Sequence, residues 1–371
     1  MRTRAEPWGD PERVRALARR IHHLAAQLAR PVTFMEVCGT HTQAIARAGL
    51  RRLLPANVRL VSGPGCPVCV TPVDYLDRAL ALARLPDVIL ATFGDLVRVP
   101  ASRRRTLEQA KAAGADVRVV YAPRDALAIA RDNPGRRVVF LGVGFETTVP
   151  TVASALEEAE GAGLANFLVL SGAKVIEPPL RALLAATGVR VDGFLLPGHV
   201  SVILGSDAYR FLVDEFATPG VVVGFGPVDI QLGLAELLGM VRAGRPEVRN
   251  VYRRVVTPQG NRAAQDLIRR WFVPADTRWR GLGEIPASGL ALRPEHAARD
   301  AWRIAVDAGE SREPRSCRCG EVLTGAIAPP ECPLFAKGCT PEAPVGACMV
   351  SSEGTCAAWY RFERVAGGVG A

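Results

Sequence analysis

Apolar positions in the first 250 residues fall in short β-branched blocks. Each is closed by a Gly- or Pro-marked turn and followed by an Ala/Leu/Arg stretch of helical period. The blocks are Thr33 to Val37, Val58 to Ser62, Asp87 to Thr92, Val117 to Tyr121, Arg137 to Val143, Ala165 to Leu170, Val191 to Leu196 and Gly220 to Gly224. Runs apolar on both faces, alternating with helices, predict βαβ units and parallel sheets covered on both sides. A helix is expected first, over Pro11 to Ala29, with Leu17, Ile21, Leu24 and Leu28 on one face.

Eight such units suit either one barrel or two smaller sheets. Two doubly wound parallel-sheet α/β domains are expected, because cysteine motifs occupy only the first half of the α/β stretch. They divide near residue 120: residues 1–120 hold the opening helix and the first α/β domain with its cysteine motifs, and residues 121–249 the second. From about Asn250 the rhythm breaks into Trp- and Pro-containing sequence, which marks 250–371 as a third, loop-rich and helical domain.

Composition narrows the class. Hydrophobic residues make up 49% and charged residues 22%, which supports packed cores. The formal charge of +9 is almost all arginine scattered through helical stretches, Lys111, Lys174 and Lys337 being the only lysines. Even the run Arg103-Arg104-Arg105 therefore reads as a solvated face, and no nucleic-acid site is expected. No apolar run approaches the ~20 residues of a membrane helix, so a cytoplasmic protein without a membrane partner is expected. In that reducing compartment nine cysteines point to metal or redox chemistry.

Six of the nine lie in the tail: Cys317-Arg318-Cys319, then Cys332, Cys339, Cys348 and Cys356. Structural zinc sites usually pair two CxxC knuckles, whereas iron–sulfur clusters accept irregular spacing and take four thiolates. Four ligands leave two thiols, a pair that can cycle between dithiol and disulfide. A CxC beside a cluster resembles ferredoxin:thioredoxin reductase, where it supplies one ligand and one redox cysteine.

The remaining three lie at expected strand ends. Cys38 closes the first strand in Met35-Glu36-Val37-Cys38-Gly39-Thr40-His41-Thr42, at the sheet edge where α/β proteins bind ligands. Helix-start NH groups and the hydroxyls of Thr40 and Thr42 are expected to lower its thiol pKa, and His41 is a candidate ligand or proton carrier. Gly63-Pro64-Gly65-Cys66-Pro67-Val68-Cys69 follows the second strand and opens on the same edge, a CxxC suited to redox or metal work. Glu146, Thr147, Thr148 and His199 also follow expected strands and are candidates to line a cleft facing the first domain. Gly142-Val143-Gly144 lacks the third glycine of a dinucleotide loop, and no GxxxxGK[ST] loop occurs.

Taken together, these motifs and their order resemble the HypD family of hydrogenase maturation factors. The resemblance continues through Thr92-Phe93-Gly94-Asp95, Gly144-Phe145-Glu146-Thr147-Thr148, Pro197-Gly198-His199-Val200-Ser201 and the tail's Pro344-Val345-Gly346-Ala347-Cys348-Met349-Val350-Ser351-Ser352-Glu353-Gly354. It implies a maturation scaffold with redox and ligand-transfer chemistry, not a turnover enzyme. With the small chaperone HypC, such a scaffold holds an iron that transiently carries cyanide, delivered by HypE, and carbon monoxide. The product unit goes on indirectly to the large subunit of a [NiFe] hydrogenase. Carried over residue by residue, Cys38 is the iron-binding cysteine and Cys66 and Cys69 a thiol pair near it. Cys317, Cys332, Cys339 and Cys356 are ligands of a [4Fe-4S] cluster, which leaves Cys319 and Cys348 as the redox pair. The sequence departs from the family pattern at Ala101, where Val-Pro-Gly is usual, and at Gly226, where an acidic residue is usual. A dithiol–disulfide oxidoreductase and a zinc-stabilised interaction protein are the competing readings.

Overall fold

The computed structural model describes residues 10–186 and 190–364. It opens with α1 (Pro11–Ala25), whose Asp10 side chain accepts a hydrogen bond from the Glu12 NH, with Pro11 pre-set for the first turn. Ile21, Leu24 and Ala25 are its buried face, and it packs on the helix Pro227–Ala243.

All eight expected strands form: β1 (Val32–Glu36), β2 (Val58–Ser62), β3 (Val88–Thr92), β4 (Val117–Val119), β5 (Arg137–Gly144), β6 (Phe167–Ala173), β7 (Gly193–Pro197) and β8 (Gly220–Val223). A short β9 (Val248–Asn250) follows. They build two parallel sheets, ordered β2-β1-β7-β8-β9 and β4-β3-β5-β6. Central strands are buried on both faces: β3, β7 and β8 are buried throughout, which is why they read as continuous apolar runs.

The sheet boundary does not fall at residue 120. β3 and β4 pair with β5 and β6, and the sheet begun by β1 and β2 is completed by β7, β8 and β9. One α/β unit is thus inserted into the other, a connectivity to which local periodicity is blind. Both sheets share the order 2-1-3-4 in their own strands. Each therefore reverses direction between its first and third strand, and loops leaving those strands diverge to leave a crevice. These switch points lie beyond β1 and β7 in one sheet, and beyond β3 and β5 in the other.

The region after Asn250 is more ordered than its irregular sequence suggests. The helix Arg262–Trp271 leads into an antiparallel hairpin, β10 (Phe272–Trp279) and β11 (Gly283–Leu292), with a register shift between Ala275 and Thr277. The tail from Cys317 carries only short turns of helix. One apolar cluster joins all these parts: Met35 and Val37 from the β1 end, Phe145 from the β5 end, Leu196 and Val200 from the β7 end, Trp279 from the hairpin, and the tail's Cys319, Val322, Met349 and Cys356.

Candidate functional site

Cys38 sits where β1 gives way to α2 (Gly39–Arg47), at the switch point of the first sheet. Its backbone is extended (φ −150°, ψ 124°) and makes it the N-cap of α2, with no capping bond from the thiol. The backbone NH groups of His41 and Thr40 do act on the sulfur, but burial dominates and pushes the thiol up to about 12. The expected lowering is thus reversed. The hydroxyls that were to help are engaged elsewhere: Thr42 Oγ1 donates to Glu36 (2.5 Å) and Thr40 Oγ1 to Glu353 (2.6 Å). Charge on Glu353 and Glu36 adds to the upward push.

Two of these neighbours were not singled out from sequence. Glu36 is fully buried, accepts from the Cys38 NH at 3.1 Å, and is raised to about 7 by burial. It sits among apolar residues in a strand, so only its charge inside an otherwise hydrophobic block gave it away. Glu353 arrives from the far end of the chain, and nothing local pairs it with Thr40.

His41 is buried and held neutral, its pKa lowered to about 4 by burial. One ring nitrogen, Nε2, meets the Gly224 carbonyl at 3.0 Å, which assigns the proton to Nε2. Nδ1 is buried without a hydrogen-bond partner. Phe225 links the two candidate histidines, with ring centroids 4.8 Å from His41 and 3.9 Å from the exposed His199. Glu146 follows β5 and is buried, its Oε1 accepting from the Ile176 NH at 2.8 Å while Oε2 has no partner. Buried Tyr209 feels the charge of both Glu146 and Cys38, so these two site candidates border one interior.

Cys66 and Cys69 form a disulfide across the N-terminus of α3 (Pro67–Val70), with Cα atoms 5.2 Å apart. Gly65 presses this loop onto the Cys38 turn: a Cβ there would lie 2.2 Å from the Cys38 nitrogen. The Gly39 NH donates to the Gly65 carbonyl at 3.1 Å. The two cysteine motifs expected on one edge are therefore in backbone contact.

The six tail cysteines are all free thiols and all but Cys317 are buried. They form a chain of thiol contacts, Cys317 to Cys319, Cys319 to Cys348 and Cys348 to Cys356, the last pair 3.3 Å apart. The hydrogen bond from Cys319 pushes the Cys317 thiol up, and burial adds to it. Cys339 Sγ accepts from the Val345 NH at 3.3 Å and its charge reaches Cys356. Cys332 is tied to Cys339 through the tight loop between them, where the Cys339 NH donates to Leu334 and the Phe335 NH to Cys332. Gly346 is pressed against Cys317, where a Cβ would stand 2.8 Å from the sulfur. Among the described residues no three His, Cys, Asp or Glu side chains are arranged to hold a single metal ion. A multi-iron cluster is bound by four separated thiolates. Cys339 and Cys356 are buried in one apolar cluster with half-buried Cys317 against it, and Cys332 lies outside that cluster but is joined to it through the loop to Cys339, a set of unbridged soft donors that fits such a group.

Arg280, which no local sequence pattern sets apart, lies at the turn of the β10–β11 hairpin and is 2% exposed. Its backbone NH donates to Val70 of the CxxC helix at 2.9 Å. Next to it, Gly281 (φ +73°) lies so close to Gly320 that a Cβ on Gly320 would be 2.1 Å from the Gly281 carbonyl oxygen. Neither Nη1 nor Nη2 has a hydrogen-bond partner.

No helix among the described residues is long and apolar enough to cross a membrane. The family model described as "Hydrogenase formation hypA family", designated HypD, matches residues 12–363. Hydrogenase maturation factor HypD of Escherichia coli K12 is 47% identical over 351 residues, covering 94% of both chains. HypD of Rhizobium leguminosarum bv. viciae is 45% identical over 367 residues, 97% of this chain and 95% of the relative, and HypD of Azotobacter vinelandii is 46% identical over 362 residues, 96% and 95%. Identity at this level over nearly the whole length, with the cysteine motifs at the sheet edges just described, places the chain in the HypD family of hydrogenase maturation factors.

Proposed function

We propose that this chain is a scaffold on which an iron ion acquires cyanide and carbon monoxide before delivery to a [NiFe] hydrogenase large subunit, acting with a HypC-type chaperone and a HypE-type cyanide donor. The observation that carries this reading is the setting of Cys38: a lone free thiol at the switch point, in backbone contact with the CxxC disulfide. A ferrous ion carrying diatomic ligands favours soft donors, and a thiolate is the softest that a protein offers. One protein thiolate leaves positions open for cyanide, carbon monoxide and a ligand from the chaperone, whereas a closed four-cysteine site excludes them. The buried, neutral His41 and the apolar floor keep bulk water from the sulfur.

In this reading Cys317, Cys332, Cys339 and Cys356 hold a [4Fe-4S] cluster, whose chemistry is one-electron transfer. The Cys319–Cys348 contact brings the remaining two thiols within reach of each other as a dithiol–disulfide pair. Cytoplasmic residence follows from the same reading, since free thiols persist in a reducing compartment.

The test is anaerobic co-purification with the small chaperone, followed by infrared spectroscopy of the cyanide and carbonyl stretching bands. Cys38→Ala removes those bands while leaving tail iron and circular dichroism unchanged. Bands at normal intensity in that variant sink the assignment. The Cys66–Cys69 disulfide favours a second reading, a dithiol oxidoreductase without mononuclear iron. Disulfide turnover surviving Cys38→Ala in an iron-free complex would select it.

A further inference from the structure

Arg280 is fully interior yet its guanidinium is not neutralised. Among the described residues no carboxylate pairs with it, and neither terminal nitrogen has a hydrogen-bond partner. An arginine stays protonated under all working conditions, and an unpaired buried charge costs several kcal/mol. Such a residue persists where an anion balances it in the working state.

The surroundings identify that anion. The Arg280 backbone is tied to Val70, one residue beyond Cys69, and the next residue, Gly281, is wedged against Gly320, one residue beyond Cys319. The hairpin thus inserts its turn between the CxxC helix and the tail's CxC. Its positive charge acts on the sulfurs of both Cys317 and Cys319. Among the described residues, the groups on which its charge is seen to act are these two sulfurs, which gain negative charge on deprotonation or on binding iron.

We propose that Arg280 is the built-in counter-cation of the tail cysteine centre, a positioning residue that favours its reduced, more anionic form. This rests on the proposed redox role of the tail. Reduction adds an electron to an iron–sulfur group held by these thiolates, or two electrons and one proton to a Cys319–Cys348 disulfide, which leaves one thiol and one thiolate beside the guanidinium. Either way a fixed positive charge in a dry interior stabilises the state with more thiolate or cluster charge.

The experiment uses the full chain, purified anaerobically, as wild type, Arg280→Met and Arg280→Lys. Iron and sulfide are measured first. Potentials are then read from tail absorbance during dithionite titration with mediator dyes. Arg280→Met should lower the equilibrium constant for reduction at least about tenfold, which is about 59 mV for one electron, and Arg280→Lys should recover most of it. Should the wild type contain no iron–sulfur group, the cluster assignment fails but this inference is tested on the same variants. The iron-free chains are equilibrated in glutathione buffers and trapped with N-ethylmaleimide, and Arg280→Met should shift the Cys319–Cys348 ratio about tenfold towards disulfide. If Arg280→Met does not fold, Arg280→Gln takes its place. Equal potentials in the charged and neutral variants, or a fall that Arg280→Lys does not reverse, would overturn the proposal.

Discussion

Glu146 is a carboxyl whose ionisation the fold resists. Burial raises its pKa from 4.5 to about 7, and one of its oxygens faces the interior without a partner. The sign follows from linkage. A carboxyl raised in the folded state contributes stability that is fully present below its ordinary value and is lost as pH climbs through the folded value. Across the window from 4.5 to about 7 the loss is on the order of 3 kcal/mol, at about 1.36 kcal/mol per unit. Glu146→Gln keeps an oxygen for the Ile176 NH and removes the titration. Urea denaturation should therefore find the variant no more stable than wild type near about pH 5 and clearly more stable near about pH 8. Parallel wild-type and variant curves across that window would mean that Glu146 reaches water. His41 behaves oppositely at the same scale: burial holds it neutral throughout the neutral range, so it offers a lone pair and not a cation.

At the scale of elements, the decisive contact is between two loops. The β1–α2 turn carries Cys38, the β2–α3 turn carries the disulfide, and Gly65 lets their backbones touch. Gly65→Ala places a methyl 2.2 Å from the Cys38 nitrogen and the Val37 carbonyl carbon, atoms that cannot move without distorting β1. A loss of about 2–4 kcal/mol in thermal or denaturant unfolding is expected, typical of overpacking against backbone. Gly135→Ala, where a Cβ meets nothing within 4 Å, should be neutral or slightly stabilising. Comparable losses in both would show that Gly65 matters only for chain flexibility. The strands behind these loops were legible in sequence because each is a β-branched block closed by a turn, and β2 matches its expected span of Val58 to Ser62 residue for residue. Which strands share a sheet was not legible. β7 pairs with β1 across more than a hundred residues, and a period-two pattern reports burial, not partners. The β10–β11 hairpin was missed for a related reason. Its residues Val273 to Arg278 alternate in burial, but Pro274 within the run and the shift at Ala275/Thr277 disguise the pattern. Arg280 was hidden among forty-odd other arginines, and only burial distinguishes it.

For the whole molecule, the tail acts as a tie between the two sheets. Glu353 receives the Thr40 hydroxyl at the switch point of one sheet. Two residues earlier, Ser351 donates to Asp95 at 2.7 Å, just beyond β3 of the other. Further along, Glu363 pairs with Arg51, and the Gly325 carbonyl accepts from Arg59 at 3.2 Å. The segment from Cys317 to Cys356 has little regular structure of its own, so its shape depends on what its cysteines bind. Metal binding of this kind contributes directly to folding free energy. On the proposed cluster assignment, stripping that metal from the tail with a chelator under anaerobic conditions should therefore loosen both sheets' edges together. Hydrogen exchange at Gly39–Arg47 and at Gly94–Arg98 is expected to rise about tenfold or more, equivalent to about 1.4 kcal/mol of local stability. Two variants separate the arms of the tie: Glu353→Ala should raise exchange in the first segment only, and Ser351→Ala in the second only. The face of β5 and β6 that carries Val138, Phe140, Phe167 and Val169 packs in a cluster without tail residues and should keep its protection throughout, whereas the opposite face shares a cluster with Ala347 and Val350 of the tail. Faster exchange confined to the tail after metal removal, with both edges still protected, would show that the sheets hold their relative positions without it.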